Sequence, residues 1–283
     1  MKNLFLLLFL LLFVQGAATA QMLDPAAQGY VREGLALEKK GDLDGAIAAY
    51  TKAIQIDNGF SGAYNNRGLA RKAKGDLDGA LSDLTKAIDA QPGNFFAYLT
   101  RGTVWQAKGN LDAALADYER AVRMGPSVGS FYLHRGIVRQ AKGDTEGALA
   151  DYNQAIKLDS GLALGYMKRA ALLKDKGNLD AGIADYTSVI KHEPNYPLAY
   201  ASRANLLLLK KDYARAVMDF NKAIELNPRQ EFLYANRGIA LLLLGRDSEA
   251  QKDFDLYLKL APYMKATLEE RIKKAKTEGT AKD

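Results

Sequence analysis

The sequence predicts an all-α chain in which pairs of helices stack as a solenoid. Three observations lead to this prediction. A seven-residue phrase recurs every 34 residues, beginning at Lys40, Lys74 and Lys108. Glycine falls at one fixed position in almost every copy, and proline closes most copies. Each copy therefore has room for two helices of about 14 residues, each roughly 21 Å long.

The first twenty residues have the layout of a secretory signal peptide. Lys2 is followed by an unbroken apolar run over residues 4–14, and small residues lie at Ala18 and Ala20. Such a run is too short to span a bilayer core of about 30 Å. We expect residues 1–20 to be cleaved, which makes the protein exported, and periplasmic or secreted if its source is bacterial. The alternative is a retained N-terminal anchor.

The repeats account for most of the remaining chain. After a short lead at residues 21–26, seven copies fill residues 27–264. Counted from the first residue of each copy, position 15 is glycine in six copies and position 16 is Asp or Asn in six. Glycine can end the first helix with a positive φ, and the polar residue can cap the second. The copies cover residues 27–60, 61–94, 95–128, 129–162, 163–196, 197–230 and 231–264.

The segment after the last repeat predicts one more helix. Leu268, Ile272 and Ala275 recur at helical spacing within residues 265–276. Because a solenoid needs a cap at its open end, we expect this helix to cover the last repeat. Residues 277–283 are charged and are expected to be a mobile tail.

An arginine and an aspartate occur together inside six repeats. Position 7 is Arg and position 23 is Asp in repeats two to seven, whereas repeat one has Glu33 and Ala49 and so lacks both. The joint presence and absence predict one salt bridge per repeat, joining the two helices. The pairs are Arg67–Asp83, Arg101–Asp117, Arg135–Asp151, Arg169–Asp185, Arg203–Asp219 and Arg237–Asp253.

Here the chain resembles the tetratricopeptide repeat (TPR) family. The family pattern sets aromatic residues, Gly, Ala and Pro at fixed offsets. The resemblance implies a right-handed superhelical solenoid whose first helices line a concave surface that binds extended or helical peptides. Repeat three carries the pattern as Tyr98, Gly102, Trp105, Gly109, Ala114, Tyr118, Ala121 and Pro126.

Family positions 2, 5, 6, 9, 12 and 13 mark the expected binding groove. These positions are mostly apolar here, Leu164 and Leu198 at position 2 included, and the charged ones are basic in excess. We therefore expect an apolar or amphipathic protein segment as the partner. The candidate groove residues are Val31, Leu35, Asn65, Leu69, Phe96, Leu99, Thr103, Leu133, His134, Ile137, Met167, Lys168, Asn205, Phe232, Asn236 and Ile239.

A second candidate surface lies at positions 12 and 13 of the last two repeats. Four leucines occupy these positions, where earlier repeats carry Lys, Gln, Glu, Asp or Ala. The patch could bind a partner, allow self-association or be covered by the final helix, and the sequence leaves these alternatives open. The four residues are Leu208, Leu209, Leu242 and Leu243.

The composition argues against catalytic and metal chemistry. The chain has no cysteine and two histidines, so a thiolate nucleophile and a cysteine metal site are excluded. Gly125 to Gly129 fits a nucleophile-elbow pattern, but it lies in a connection between repeats rather than after a strand. We expect no catalytic residue, no cofactor and no bound metal.

Nucleic-acid binding is also not expected. The chain carries 39 Lys and Arg against 33 Asp and Glu, but six of the arginines are predicted to be paired internally. We therefore predict a non-catalytic interaction scaffold or adaptor in the cell envelope. Two alternatives remain: a membrane-tethered envelope assembly factor with a retained anchor, and an accessory subunit of an enzyme complex.

Overall fold

The computed structural model describes residues 24–280, and all regular elements in that range are helical. The chain divides into two compact units, Met1–Thr100 and Arg101–Asp283. The first unit holds α1 (Pro25–Lys40), α2 (Leu43–Ile56), α3 (Ser61–Ala73) and α4 (Leu77–Ala90), and the division falls within α5 (Phe95–Ala107). The second unit holds α6 (Leu111–Met124), α7 (Gly129–Ala141), α8 (Thr145–Leu158), α9 (Ala163–Asp175), α10 (Leu179–His192), α11 (Pro197–Leu209), α12 (Tyr213–Leu226), α13 (Glu231–Leu243), α14 (Asp247–Leu260) and α15 (Lys265–Thr280).

The helices pack as hairpins, and within each unit a hairpin packs on the next. In the first unit α1 pairs with α2 and α3 with α4, and α2 also contacts α3. The second unit repeats this arrangement from α7 to α14. The predicted all-α solenoid of 34-residue helix-turn-helix repeats is therefore confirmed within each unit.

The turn inside each hairpin is made as predicted. Gly75 has φ 85°, and the Asp76 carboxylate accepts a hydrogen bond of 2.9 Å from the Gly79 amide. The same cap recurs in repeats one and three to six, at Asp42, Asn110, Asp144, Asn178 and Asp212. Repeat six has Lys211 in place of the glycine, and this residue takes φ 65° without the freedom that glycine has.

Glycine at position 8 lets the two helices of a hairpin come close. A Cβ added at Gly102 would lie 2.6 Å from the Tyr118 ring, and one at Gly238 would lie 2.4 Å from the Phe254 ring. Such distances are too short for any side chain. The aromatic ring at position 24 therefore packs directly on the backbone of the first helix.

The first helix begins earlier than the repeat pattern suggests. It starts at Pro25, inside the expected lead, because the Asp24 carboxylate accepts a hydrogen bond of 2.7 Å from the Ala26 amide. Proline at the first helical position favours this start. The predicted signal peptide, residues 1–20, lies outside the described residues.

The final helix packs on α13, as expected of a cap. Leu268 and Ala275 are buried, and Ile272 packs against the same core as the last repeats. The helix runs to Thr280, beyond Lys276, where the prediction ended it. Across residues 24–280, no helix is both long and apolar enough to cross a membrane.

Candidate functional site

The Arg–Asp pairs form a buried ladder, as hypothesised. In repeat four the Arg135 Nε and a terminal nitrogen donate to the two Asp151 oxygens at 2.9 and 2.6 Å. Repeats two, three, five, six and seven show the same two-bond pairing. The aspartates are buried. Each pair therefore locks the two helices of its own hairpin in a fixed geometry.

The same arginines also join neighbouring repeats. The third nitrogen of Arg203 donates to the Thr187 hydroxyl of the preceding hairpin at 3.0 Å, and that of Arg237 donates to Asn221 at 2.7 Å. Hydrogen bonding to the aspartates raises the pKa of Arg203 and Arg237. These guanidinium groups thus already donate hydrogen bonds within and between repeats. This supports the prediction that they do not form a phosphate-binding track.

A second inter-helix contact lies at positions 12 and 24, next to the first-helix face. We use that term for the surface made by the first helices of successive repeats. The Tyr118 hydroxyl donates to Gln106 at 3.1 Å, and the Tyr152 hydroxyl donates to Gln140 at 2.7 Å. Burial raises the pKa of both tyrosines. The His134 ring packs on Tyr118 with centroids 5.6 Å apart, so this histidine is part of the packing between repeats three and four.

An apolar edge remains open on the first-helix face of the second unit. It consists of Leu164, Leu198 and Phe232, which all stand at position 2 and are exposed; Leu198 and Phe232 are 44% and 36% exposed. Between α11 and α13 this edge borders a pocket of about 170 Å³. The pocket is lined by Pro197, Leu198, Ala201, Asn227, Gln230, Phe232 and Leu233.

The chain matches family models over more than half of its length. Residues 34–75 match the model described as "TPR repeat", and residues 61–94, 99–163 and 197–230 match models described as "Tetratricopeptide repeat". The chain belongs to the tetratricopeptide repeat family. None of the curated proteins compared with it matches the chain.

Several solved structures share the fold. A tetratricopeptide repeat protein from Parabacteroides merdae ATCC 43184 is 22% identical, with a TM-score of 0.60 and coverage of 89% of this chain and 99% of that one. MamA is 25% identical, with a TM-score of 0.53 and coverage of 60% and 93%. YrrB, "a TPR protein with an unusual peptide-binding site", is 23% identical, with a TM-score of 0.53 and coverage of 65% and 95%.

Two of the candidate TPR groove residues are not open to a ligand. Leu133 is 3% exposed and packs in the core with Tyr152, and Asn65 is also buried. Both stand at position 5, where Ala201 and Ala235 are buried as well. The assignment of Leu133 and Asn65 to an open groove is therefore wrong, because both side chains are buried.

Other candidate residues keep partial access. Phe232 is exposed, and Met167, Lys168, Ile137 and Ile239 are half-buried. Asn205 is exposed but accepts a hydrogen bond from Asn236, which in turn accepts one from Arg271 of α15. In the first unit Leu69 is exposed, while Val31, Leu35, Phe96 and Leu99 are half-buried. Thr103, in the second unit, is half-buried.

The C-terminal leucines prove to be mostly a packing feature. Leu208 and Leu242 pack against the core that contains Phe220 and Phe254. In repeats six and seven, position 12 is leucine, whereas repeats three and four have Gln106 and Gln140 there. Position 24 is phenylalanine in repeats six and seven, whereas repeats three and four have Tyr118 and Tyr152. A phenyl ring has no hydroxyl to satisfy, so an apolar neighbour suits it. Leu243 is half-buried, and Leu209, at 59% exposed, is the one leucine of this patch that remains largely open.

The polar part of the pocket was not predicted from the sequence. Asn227 and Gln230 lie in the connection before α13, and their side chains could orient a bound segment by hydrogen bonds. Loop residues of this kind vary between repeats and follow no offset rule. Among residues 24–280 no group of three His, Cys, Asp or Glu side chains could hold a metal ion.

Proposed function

We propose that this TPR protein is a non-catalytic scaffold that binds an apolar or amphipathic protein segment along the first-helix face of its second unit. The observation that carries the proposal is the apolar edge. Leu198 and Phe232 leave large apolar surfaces in water beside a pocket with two polar residues. A contiguous exposed apolar surface with a polar rim is typical of a binding site.

The family supports the proposal at the level of the fold. TPR repeats are interaction modules, and YrrB is a TPR protein described as having a peptide-binding site. The stack positions the edge rigidly, since the Arg–Asp ladder fixes each hairpin and its neighbour. A rigid surface loses little conformational entropy on binding, which favours affinity.

The test is a peptide selection followed by a matched comparison of variants. Peptides selected on the protein from a displayed library are measured against the wild type, Leu198→Glu/Phe232→Glu and the control Met218→Glu. Met218 is exposed on a second helix, so its variant replaces an exposed apolar side chain with one glutamate away from the edge. We expect the selected peptides to be apolar or amphipathic. Their affinity should be at least about tenfold lower for the double variant than for the wild type, and unchanged for the control. Equal binding by all three proteins would refute the proposal.

We further propose that the scaffold works outside the cytoplasm, in the envelope or medium. The support is the signal-like sequence of residues 1–20, and mass spectrometry of the protein from its source tests it. Gln21 at the N-terminus supports export with cleavage. Met1 in a membrane fraction supports a tethered assembly factor, and Met1 in the cytosol refutes export.

A further inference from the structure

A slot opens in the second unit among α8, the second helix of repeat four, and α9 and α10, the two helices of repeat five. Its volume is about 300 Å³, at the lower end of the range for ligand sites. One end is apolar, and the other holds the ladder pair of repeat five. The lining residues are Leu149, Asn153, Arg169, Leu173, Ala181, Ala184 and Asp185.

The equivalent positions in repeats two and four hold an arginine. Arg71, at position 11, donates to the second oxygen of Asp83 at 2.8 Å. Arg139, at the same position, donates to the second oxygen of Asp151 at 3.0 Å. In both repeats two guanidinium groups therefore share one ladder carboxylate.

Repeat five has the carboxylate but not the second guanidinium. Position 11 is Leu173, and in the described residues Asp185 receives hydrogen bonds only from Arg169, at 2.9 and 2.6 Å. The Asp185 side chain is 4% exposed and lines the slot, and its two oxygens have acceptor capacity beyond the two bonds from Arg169.

Small residues keep the slot open. Ala181 and Ala184 line it, whereas repeat six carries Arg215 and Met218 at these two positions. Leu173 is shorter than arginine and does not reach the carboxylate as Arg71 does. Repeat four has Arg139 at position 11, and repeat six has Arg215 and Met218 at positions 19 and 22. Of these three repeats, only repeat five combines leucine at position 11 with small residues at both other positions.

We propose that the slot binds the guanidinium group of an arginine presented by a partner protein. The planar group would donate to Asp185 as Arg71 donates to Asp83, and its aliphatic stem would lie along Leu149 and Leu173. Arg71 also has Asp76 at 3.7 Å, whereas repeat five has Asn178 at that position. The bound cation would therefore have less negative charge around it than Arg71 has. For this reason a single arginine binds weakly.

This site is independent of the proposed peptide-binding surface. The slot shares no residue with the apolar edge or its pocket. Failure of one proposal would leave the other unaffected, and a partner that engaged both would contact two faces of the second unit.

The experiment is a titration of N-acetyl-arginine amide into the protein, followed by NMR chemical shifts of backbone amides. Two variants place a larger side chain in the lining of the slot. Leu173→Arg supplies the guanidinium of repeats two and four, and Ala184→Met supplies the side chain of repeat six. We expect saturable shifts centred on residues 149–153 and 181–185 in the wild type, and binding at least about tenfold weaker in both variants.

N-acetyl-lysine amide is the matched probe. Its ammonium lacks the planar fork, so we expect it to bind about tenfold more weakly than the arginine probe. Equal binding of the two probes, shifts that persist in Leu173→Arg and Ala184→Met, or no saturable shift in the wild type would each overturn the proposal. Circular dichroism confirms that the variants fold.

Discussion

Arg135 and Asp151 face each other across the hairpin of repeat four, joined by two hydrogen bonds, with Arg139 as a second donor to the same carboxylate. The pair is largely removed from water, so it is not an ordinary surface ion pair. Removing one partner of a buried pair leaves an uncompensated charge, which is far more destabilising than losing an exposed pair.

Asp151→Ala should therefore destabilise the protein by about 3–5 kcal/mol, because it leaves both Arg135 and Arg139 without their carboxylate partner. Asp185→Ala removes the carboxylate partner of one arginine only, so it should lower the free energy of unfolding by less. Urea unfolding followed by circular dichroism measures both. Asp44→Ala is the control, since it removes an exposed bridge to Lys74 and should change the free energy of unfolding by less than about 1 kcal/mol. Equal losses in Asp151→Ala and Asp44→Ala would show that the ladder does not stabilise the hairpins.

Lys211→Gly should stabilise the protein by roughly 1 kcal/mol. Lys211 has φ 65°, where a Cβ is strained, and glycine occupies this position in the other six repeats. The thermal midpoint should rise accordingly. Gly245→Ala is the reciprocal control and should lower it. A fall in the thermal midpoint of Lys211→Gly would mean that contacts of the lysine side chain stabilise the protein by more than its strained backbone destabilises it.

Phe220→Tyr should destabilise repeat six by about 1–3 kcal/mol, because the new hydroxyl would face Leu208 rather than a glutamine. Phe220→Tyr/Leu208→Gln should recover most of the loss by forming the pair seen at Tyr152 and Gln140. A double-mutant cycle in urea measures the coupling. Additive effects would show that positions 12 and 24 do not depend on each other.

Glu38→Gln should stabilise the protein at pH 7 by less than about 1 kcal/mol, because solvent screens the half-buried carboxylate. Burial raises the pKa of Glu38, and the nearby Tyr50 hydroxyl lowers that pKa by a smaller amount. The Tyr50 hydroxyl is buried and makes no hydrogen bond of normal geometry. The folded chain thus binds the proton more tightly, so stability is greater below the ordinary pKa of glutamate and falls as pH rises through the raised pKa. Near pH 4 the variant should show little gain, which unfolding at the two pH values checks. An equal gain at both pH values would contradict this explanation.

Much of the fold follows from offsets within the repeat. Gly75 and Asp76 mark a turn through their backbone and capping chemistry, which is local, so the sequence alone predicts it. The pairing of Arg135 with Asp151 is not local, yet it could be inferred because both residues are absent together from repeat one.

Exposure on the first-helix face could not be inferred in this way. Leu133 and Met167 stand at the same position, but Leu133 is buried and Met167 is half-buried. The difference depends on how closely the following repeat packs, which is a property of the stack. The slot at Asp185 could have been recognised in the sequence by comparing Leu173, Ala181 and Ala184 with their counterparts, but its openness required the structure.

The proposed partner-binding surface is the apolar edge at Leu198 and Phe232. Photo-cross-linking in the native source tests it most directly, with p-benzoylphenylalanine placed at position 198, 232 or 218 in separate variants. We expect a shared cross-linked protein from positions 198 and 232 and none from position 218. A partner captured from position 218 alone would contradict it.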